Sequence, residues 1–163
     1  MKEKMKVHYS STTNEWATPD NLFKALDDEF GFTLDPCATD DNHKCKKYYT
    51  KETNGLIQDW RDEVVFMNPP YGRAIGKWVE KAAHETAHQD CTVVCLIPAR
   101  PDTKYWHNYI FPYASEIRFL KGRVKFGDGA AGAPFPSAIV IFEGRYDGTT
   151  NQYRIGSYLC YRR

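Results

Sequence analysis

The pattern of apolar and polar positions separates strands from helices along this chain. Val64-Val65-Phe66-Met67 is an unbroken apolar run, and Thr92-Val93-Val94-Cys95-Leu96-Ile97 is a second. Short continuous runs of this kind predict strands buried on both faces, as in a parallel sheet. Ile75, Trp78, Val79, Ala82 and Ala83 recur at helical spacing instead and predict an amphipathic helix over 75–89. Leu22, Phe23, Leu26 and Phe30 predict an earlier helix, with Thr18 as N-cap, Pro19 at the first helical position and Gly31 as C-cap. Shorter strands are expected at 32–34, 117–120 and 137–142, with further candidates at Tyr48-Tyr49-Thr50 and over the tail 153–161. Asp102 or Thr103 is expected to cap a helix through about Phe111. Strands alternating with helices imply a mainly parallel α/β sheet.

The run at 64–67 ends abruptly in Asn68-Pro69-Pro70-Tyr71-Gly72. Pro69 and Pro70 lack a backbone N–H and fix φ, so the chain must leave the sheet rigidly extended. Asn68 is thereby held at the carboxyl end of a buried strand, where open α/β sheets place their ligands. Its side-chain carbonyl accepts hydrogen bonds, and Tyr71 adds a flat aromatic face close by. An acceptor, a rigid elbow and an aromatic plate together suit a planar amine. Asp35-Pro36-Cys37-Ala38 also stands at a strand end, where a carboxylate can meet a hydroxylated or cationic ligand.

A competing pattern lies at His84-Glu85-Thr86-Ala87-His88, which matches the H-E-x-x-H arrangement of zinc hydrolases. On a helical wheel His84 and His88 fall opposite the apolar stripe, so the match reads as a solvated helix face and no metal site is expected. Arg100, Lys104, Arg118, Lys121, Arg123 and Lys125 cluster late in the chain, interleaved with Tyr105, Trp106, Phe119 and Phe126. Cations that hold phosphates beside aromatics that stack bases suit an unstacked nucleic acid strand.

Composition narrows the setting. A chain of 163 residues is expected to form one domain, with a polar lead-in over 1–14. A net charge of +1 gives no global basic field, so any nucleic-acid site must be a local patch. Five cysteines without disulfide-framework spacing, and no apolar run of membrane-span length, point to a reducing cytoplasm and no membrane partner.

With these residues assembled, the chain resembles the S-adenosylmethionine-dependent DNA N6-adenine methyltransferases, specifically the small single-domain type common in bacteriophages and prophages. The resemblance runs from about Trp16 to Phe142. It rests on Glu15-Trp16-Ala17-Thr18-Pro19, Leu34-Asp35-Pro36-Cys37-Ala38, Gln58-Asp59-Trp60, Asn68-Pro69-Pro70-Tyr71 and Leu96-Ile97-Pro98-Ala99-Arg100, in that order. It implies a Rossmann-like fold, a mostly parallel sheet flanked by helices with an antiparallel C-terminal strand, and no separate target-recognition domain.

The resemblance also implies S-adenosyl-L-methionine as cofactor, held by Trp16, Thr18, Pro19, Asp35, Pro36, Cys37, Ala38, Asp59 and Trp60. The usual glycines after the first strand are here Cys37-Ala38-Thr39, and Glu52 is the candidate acid for the ribose. Asn68, Pro69, Pro70 and Tyr71 would form the catalytic elbow, receiving an adenine flipped from double-stranded DNA. Arg73, Arg100, Lys104, Lys121, Arg123, Lys125 and Phe126 would hold the DNA, and no obligate protein partner is evident. The elbow by itself suits cytosine N4, RNA adenine or a protein glutamine amide equally well. A zinc hydrolase and a catalytically silent DNA-binding module remain as rivals from other classes.

Overall fold

The computed structural model describes residues 16–127 and 131–144. The lead-in over 1–14 and the strand expected over 153–161 lie outside the described residues. Six strands, β1 (Leu34–Asp35), β2 (Lys47–Tyr48), β3 (Val64–Met67), β4 (Thr92–Pro98), β5 (Glu116–Phe119) and β6 (Ser137–Glu143), form one sheet in the order β2-β1-β3-β4-β6-β5. The four strands β2, β1, β3 and β4 are parallel, whereas β6 runs antiparallel to both of its neighbours. This is the mostly parallel α/β architecture, with its antiparallel C-terminal strand, that the pattern and the resemblance anticipate.

Because β6 opposes both β4 and β5, those two strands point the same way. The register pairs Pro98 with Ser137 and Phe119 with Ala138. The carboxyl ends of β1, β3, β4 and β5 therefore share one edge of the sheet, the edge where ligands of such folds sit.

The two long apolar runs became the sheet centre for the expected reason. Val65, Val93, Val94, Cys95, Leu96 and Ile97 are all fully buried, so neither face of these strands meets water. Helix α1 (Asp20–Phe30) buries Leu22 and Leu26, and its Phe23 meets Phe66 of β3 edge-on, ring centroids 5.1 Å apart. Helix α2 (Ile75–His88) buries the predicted stripe of Ile75, Trp78, Val79, Ala82 and Ala83. Gly31 ends α1 at φ 67, a left-handed conformation that glycine adopts without steric cost, and its N–H reaches Asp27.

Some boundaries differ from expectation. Helix α1 begins at Asp20, so Pro19 is the N-cap and no side chain caps the helix. Thr18 is not available for capping because its hydroxyl is engaged elsewhere. Strands β1, β2 and β5 are displaced by one or two residues from their expected spans. The helix expected through Phe111 is a π-helical turn, Trp106–Ile110, followed by α3 (Phe111–Tyr113). The wider turn places Trp106 and Ile110, four residues apart, both fully in the core.

Candidate active site

The elbow begins where β3 ends. The Asn68 side-chain NH2 donates to the Trp16 carbonyl at 2.5 Å and to Thr18 Oγ1 at 2.9 Å. The Trp16 carbonyl can only accept, so the amide must present its NH2 end there and its oxygen on the other side. Among the described residues that oxygen, Oδ1, is buried without a hydrogen-bond partner. A buried acceptor left open costs about 1–3 kcal/mol, which marks it as a group awaiting a donor.

Pro69 and Pro70 carry the chain stiffly past Asn68, and Gly72 makes the next turn at φ 142, which side-chain-bearing residues rarely adopt. Tyr71 does not project as a free plate. It is buried, donates its hydroxyl to the Leu96 carbonyl at 3.1 Å, and packs in an aromatic group with Trp16, Phe126 and Phe135. Burial pushes its phenol well above the usual tyrosine range. Tyr71 thus ties the elbow to β4, and Trp16, half-buried, presents the more open ring.

A cavity of about 470 Å³ opens beside Asn68, Pro69 and Pro70. Trp16, Ala17 and Thr18 line one wall, and Pro36, Cys37, Ala38 and Thr39 another. Asn42, Lys44, Thr50, Lys51, Asn54, Gly55 and Trp78 complete it. The volume falls in the range of roughly 300–1,000 Å³ typical of small-molecule sites. Indole faces, hydroxyls, side-chain amides and a half-buried ammonium make a donor set that fits a nucleoside carrying an amino-acid tail.

Asp35 shapes this cavity from behind rather than lining it. Its Oδ1 accepts the Cys37 N–H at 3.2 Å and its Oδ2 the Lys44 N–H at 3.0 Å, folding the 36–44 loop around the strand end. Burial pushes the carboxyl up from its ordinary value, while the two N–H donors pull the other way. Gly55 packs directly against the same strand end: a Cβ there would lie 2.3 Å from the Pro36 carbonyl oxygen.

Several residues assigned by resemblance stand elsewhere. Pro19, Asp59 and Trp60 do not line the cavity. Asp59 is exposed beside Arg61, accepting that residue's N–H at 2.9 Å. Trp60 is fully buried, donating Nε1–H to the Gly55 carbonyl at 3.0 Å and stacking on Trp78 at 6.4 Å, so it supports the cavity wall from inside. Glu52 is exposed, with its carboxylate held by Thr50. Asn42, Lys44, Thr50, Lys51, Asn54, Gly55 and Trp78 line the cavity although no motif marks them as site residues. The Asn54-Gly55 pair was the one available signal, a turn dipeptide whose Asn takes φ 52.

Arg73, Arg100, Lys104, Lys121, Arg123 and Lys125 are exposed, and among the described residues none forms an ion pair. All follow the carboxyl ends of β3, β4 or β5, on the edge that carries the elbow. Arg118 differs: its guanidinium bridges Glu29 and Glu116 at 2.7 and 2.9 Å. Phe126 is buried against Trp16, at 5.5 Å between centroids, as part of the elbow's backing. In the H-E-x-x-H stretch the histidines lie exposed while Glu85 turns inward to Lys81 and to the Trp60 N–H. The helix therefore divides those three side chains between water and core.

Comparison with known proteins converges on the same chemistry. A family model for DNA N-6-adenine-methyltransferase (Dam) matches residues 6–147. A DNA N-6-adenine-methyltransferase of Haemophilus phage HP1 is 32% identical over 136 residues, covering 78% of each chain. One from Escherichia phage T1 is 32% identical over 108 residues, 65% of this chain and 44% of that protein. The putative methyltransferase YfdM of Escherichia coli K12 is 43% identical over 65 residues, 36% of this chain and 71% of that protein. With the strand-end elbow, the cavity beside it and a match over most of its length, the chain belongs to the DNA N-6-adenine-methyltransferase (Dam) family.

Proposed function

We propose that the protein transfers a methyl group from S-adenosyl-L-methionine to the N6 amino group of adenine in DNA, with Asn68 as the acceptor for that amino group. The observation that carries this reading is the orientation of the Asn68 amide. Its NH2 end is consumed by Trp16 and Thr18, and its buried oxygen has no donor among the described residues. An exocyclic amino group supplies such a donor.

The N6 lone pair is delocalised into the adenine ring and is poorly nucleophilic. Hydrogen bonds from the amino group to Asn68 Oδ1 and the Pro69 carbonyl localise that lone pair on nitrogen. The cofactor supplies a methyl already activated on a sulfonium, so alignment matters more than a strong base. Trp16, Pro36, Cys37 and Ala38 hold the cofactor in the 470 Å³ cavity, which shares the Asn68–Pro70 wall with the elbow, while Thr18 orients the Asn68 amide. Thr39, Asn42, Thr50 and Asn54 add hydroxyl and amide groups for its polar ends. A base inside a duplex cannot reach this pocket, so the target adenine is flipped out. The six exposed cations at the same edge hold the phosphates around it.

The test is to incubate the purified protein with methyl-labelled S-adenosyl-L-methionine and DNA, digest the DNA and identify the labelled nucleoside. Label in N6-methyladenine is expected. Label confined to N4-methylcytosine, or none across varied DNA substrates, would overturn the reading.

A further inference from the structure

The elbow separates two hollows. Asn68, Pro69 and Pro70 face the cavity described above, whereas Gly72 and Arg73 open on a second, shallower cleft of about 380 Å³. This cleft lies between the start of α2 and the segment 103–109. It carries three cations, Arg73 and Lys77 from the turn into α2 and Lys104 from the facing segment, and the amide of Asn108. All three cations are exposed and, among the described residues, without an ion-pair partner. The single carboxylate in the lining, Glu80, is occupied by the Tyr109 hydroxyl.

Cations elsewhere in the fold are arranged differently. Lys24, Lys44, Lys47, Arg61, Lys81 and Arg118 each stand against a carboxylate. Three like charges facing one cleft repel each other, and that cost is relieved when an anion with spaced charges enters. Arg and Lys for phosphate oxygens, with Asn and Tyr for phosphate and sugar, are the groups that bind a nucleic-acid backbone.

We infer that this second cleft seats the sugar–phosphate backbone of the DNA strand bearing the target adenine, so that the base crosses the Pro69-Pro70 ridge into the elbow. The inference rests on the elbow being the site that receives the base. It adds Lys77, which no motif marks, and separates the cleft cations from Arg100, Lys121, Arg123 and Lys125 on the remainder of the edge. Arg73 and Lys77 approach the cleft from the start of α2, and Lys104 from the segment across it.

The experiment uses the full chain, a fluorescent double-stranded oligonucleotide and anisotropy titrations at several salt concentrations. Lys77→Glu and Lys104→Glu are compared with wild type and with Lys46→Glu, an exposed cation just before β2 at the opposite edge of the sheet. Calorimetric binding of S-adenosyl-L-methionine checks that each variant is folded. The expected result is DNA binding weaker by about tenfold for each cleft variant, with a salt slope reduced by about 1, and unchanged binding for Lys46→Glu. Cleft variants that bind DNA within about twofold of wild type at every salt concentration, while wild type methylates adenine, overturn the cleft alone. A wild-type protein that methylates no adenine removes the reading beneath it.

Discussion

Thr18 offers the sharpest dissection of the site, because two roles for it make different predictions. It lines the cavity, and its hydroxyl also accepts one of the two hydrogens of the Asn68 NH2 group. In Thr18→Val a methyl replaces that hydroxyl with little change in shape. The Trp16 carbonyl still holds one amide hydrogen, but the other loses its acceptor at a position where Thr18 is only 6% exposed. Leaving a buried donor unsatisfied costs about 1–3 kcal/mol. If that cost falls on the amide orientation that receives the base, turnover drops by roughly 5- to 150-fold. Thr18→Ser keeps the oxygen and should retain turnover within about threefold. The assay is steady-state methylation with kcat and KM resolved for each substrate, alongside calorimetric cofactor binding. A positioning role lowers kcat, leaves the cofactor Kd nearly unchanged and is rescued by serine. A Thr18→Val enzyme with weakened cofactor binding and wild-type kcat would refute the orientation argument and make Thr18 a cofactor contact.

Two further outcomes follow from the packing around the cavity. Gly55→Ala would drive a Cβ to 2.3 Å from the Pro36 carbonyl oxygen and 3.1 Å from the Pro36 Cβ, so the two cavity walls must move apart. Overpacking of this kind costs about 1–3 kcal/mol, a fall of roughly 2–12 °C in Tm for a chain of this size, and cofactor affinity should fall with it; an unchanged Tm would contradict the contact. Burial pushes the Cys45 and Cys91 thiols up to about 12. Their folded-state values lie above the unfolded value of about 8.5, so their contribution to stability is complete below that pH and is lost as pH rises toward 12. The urea midpoint should therefore fall between pH 8 and pH 10.5, and a Cys45→Ala, Cys91→Ala double variant should lose part of that fall; an identical fall in both proteins would refute the assignment.

Features that declare themselves through local chemistry were legible in the sequence. The apolar runs at β3 and β4, the stripe of α2, the Gly31 cap and the Asn68-Pro69-Pro70-Tyr71 elbow each follow from a few adjacent residues. Features created by contacts across long separations were not. Thr18 reads as an N-cap because Thr-Pro before an apolar helix face usually is one, yet its hydroxyl bonds Asn68, fifty residues away in sequence. Tyr71 and Phe126 read as plates for bases because aromatic residues near a site often are. Both instead pack with Trp16 and Phe135 in the aromatic group that backs the elbow. Asp59-Trp60 carries a family motif, but the Trp60 indole is committed to Gly55 and Trp78. Lys44 and Lys51 reach the cavity from a polar, lysine-rich loop in which no motif marks either residue.

The central claim is that the open Asn68 oxygen receives the amino group to be methylated. Asn68→Ala removes that oxygen, and with it the NH2 group bound to Trp16 and Thr18, while leaving the rest of the cavity lining in place. The decisive measurement is single-turnover methyl transfer to an adenine-containing duplex at saturating protein and cofactor, with cofactor Kd measured by calorimetry on the same preparation. Loss of one preorganised hydrogen-bonding group at a reacting centre typically lowers the rate by about 10²–10³. The account predicts a loss of that order with cofactor binding preserved. A variant that transfers methyl to adenine N6 at the wild-type rate would contradict it.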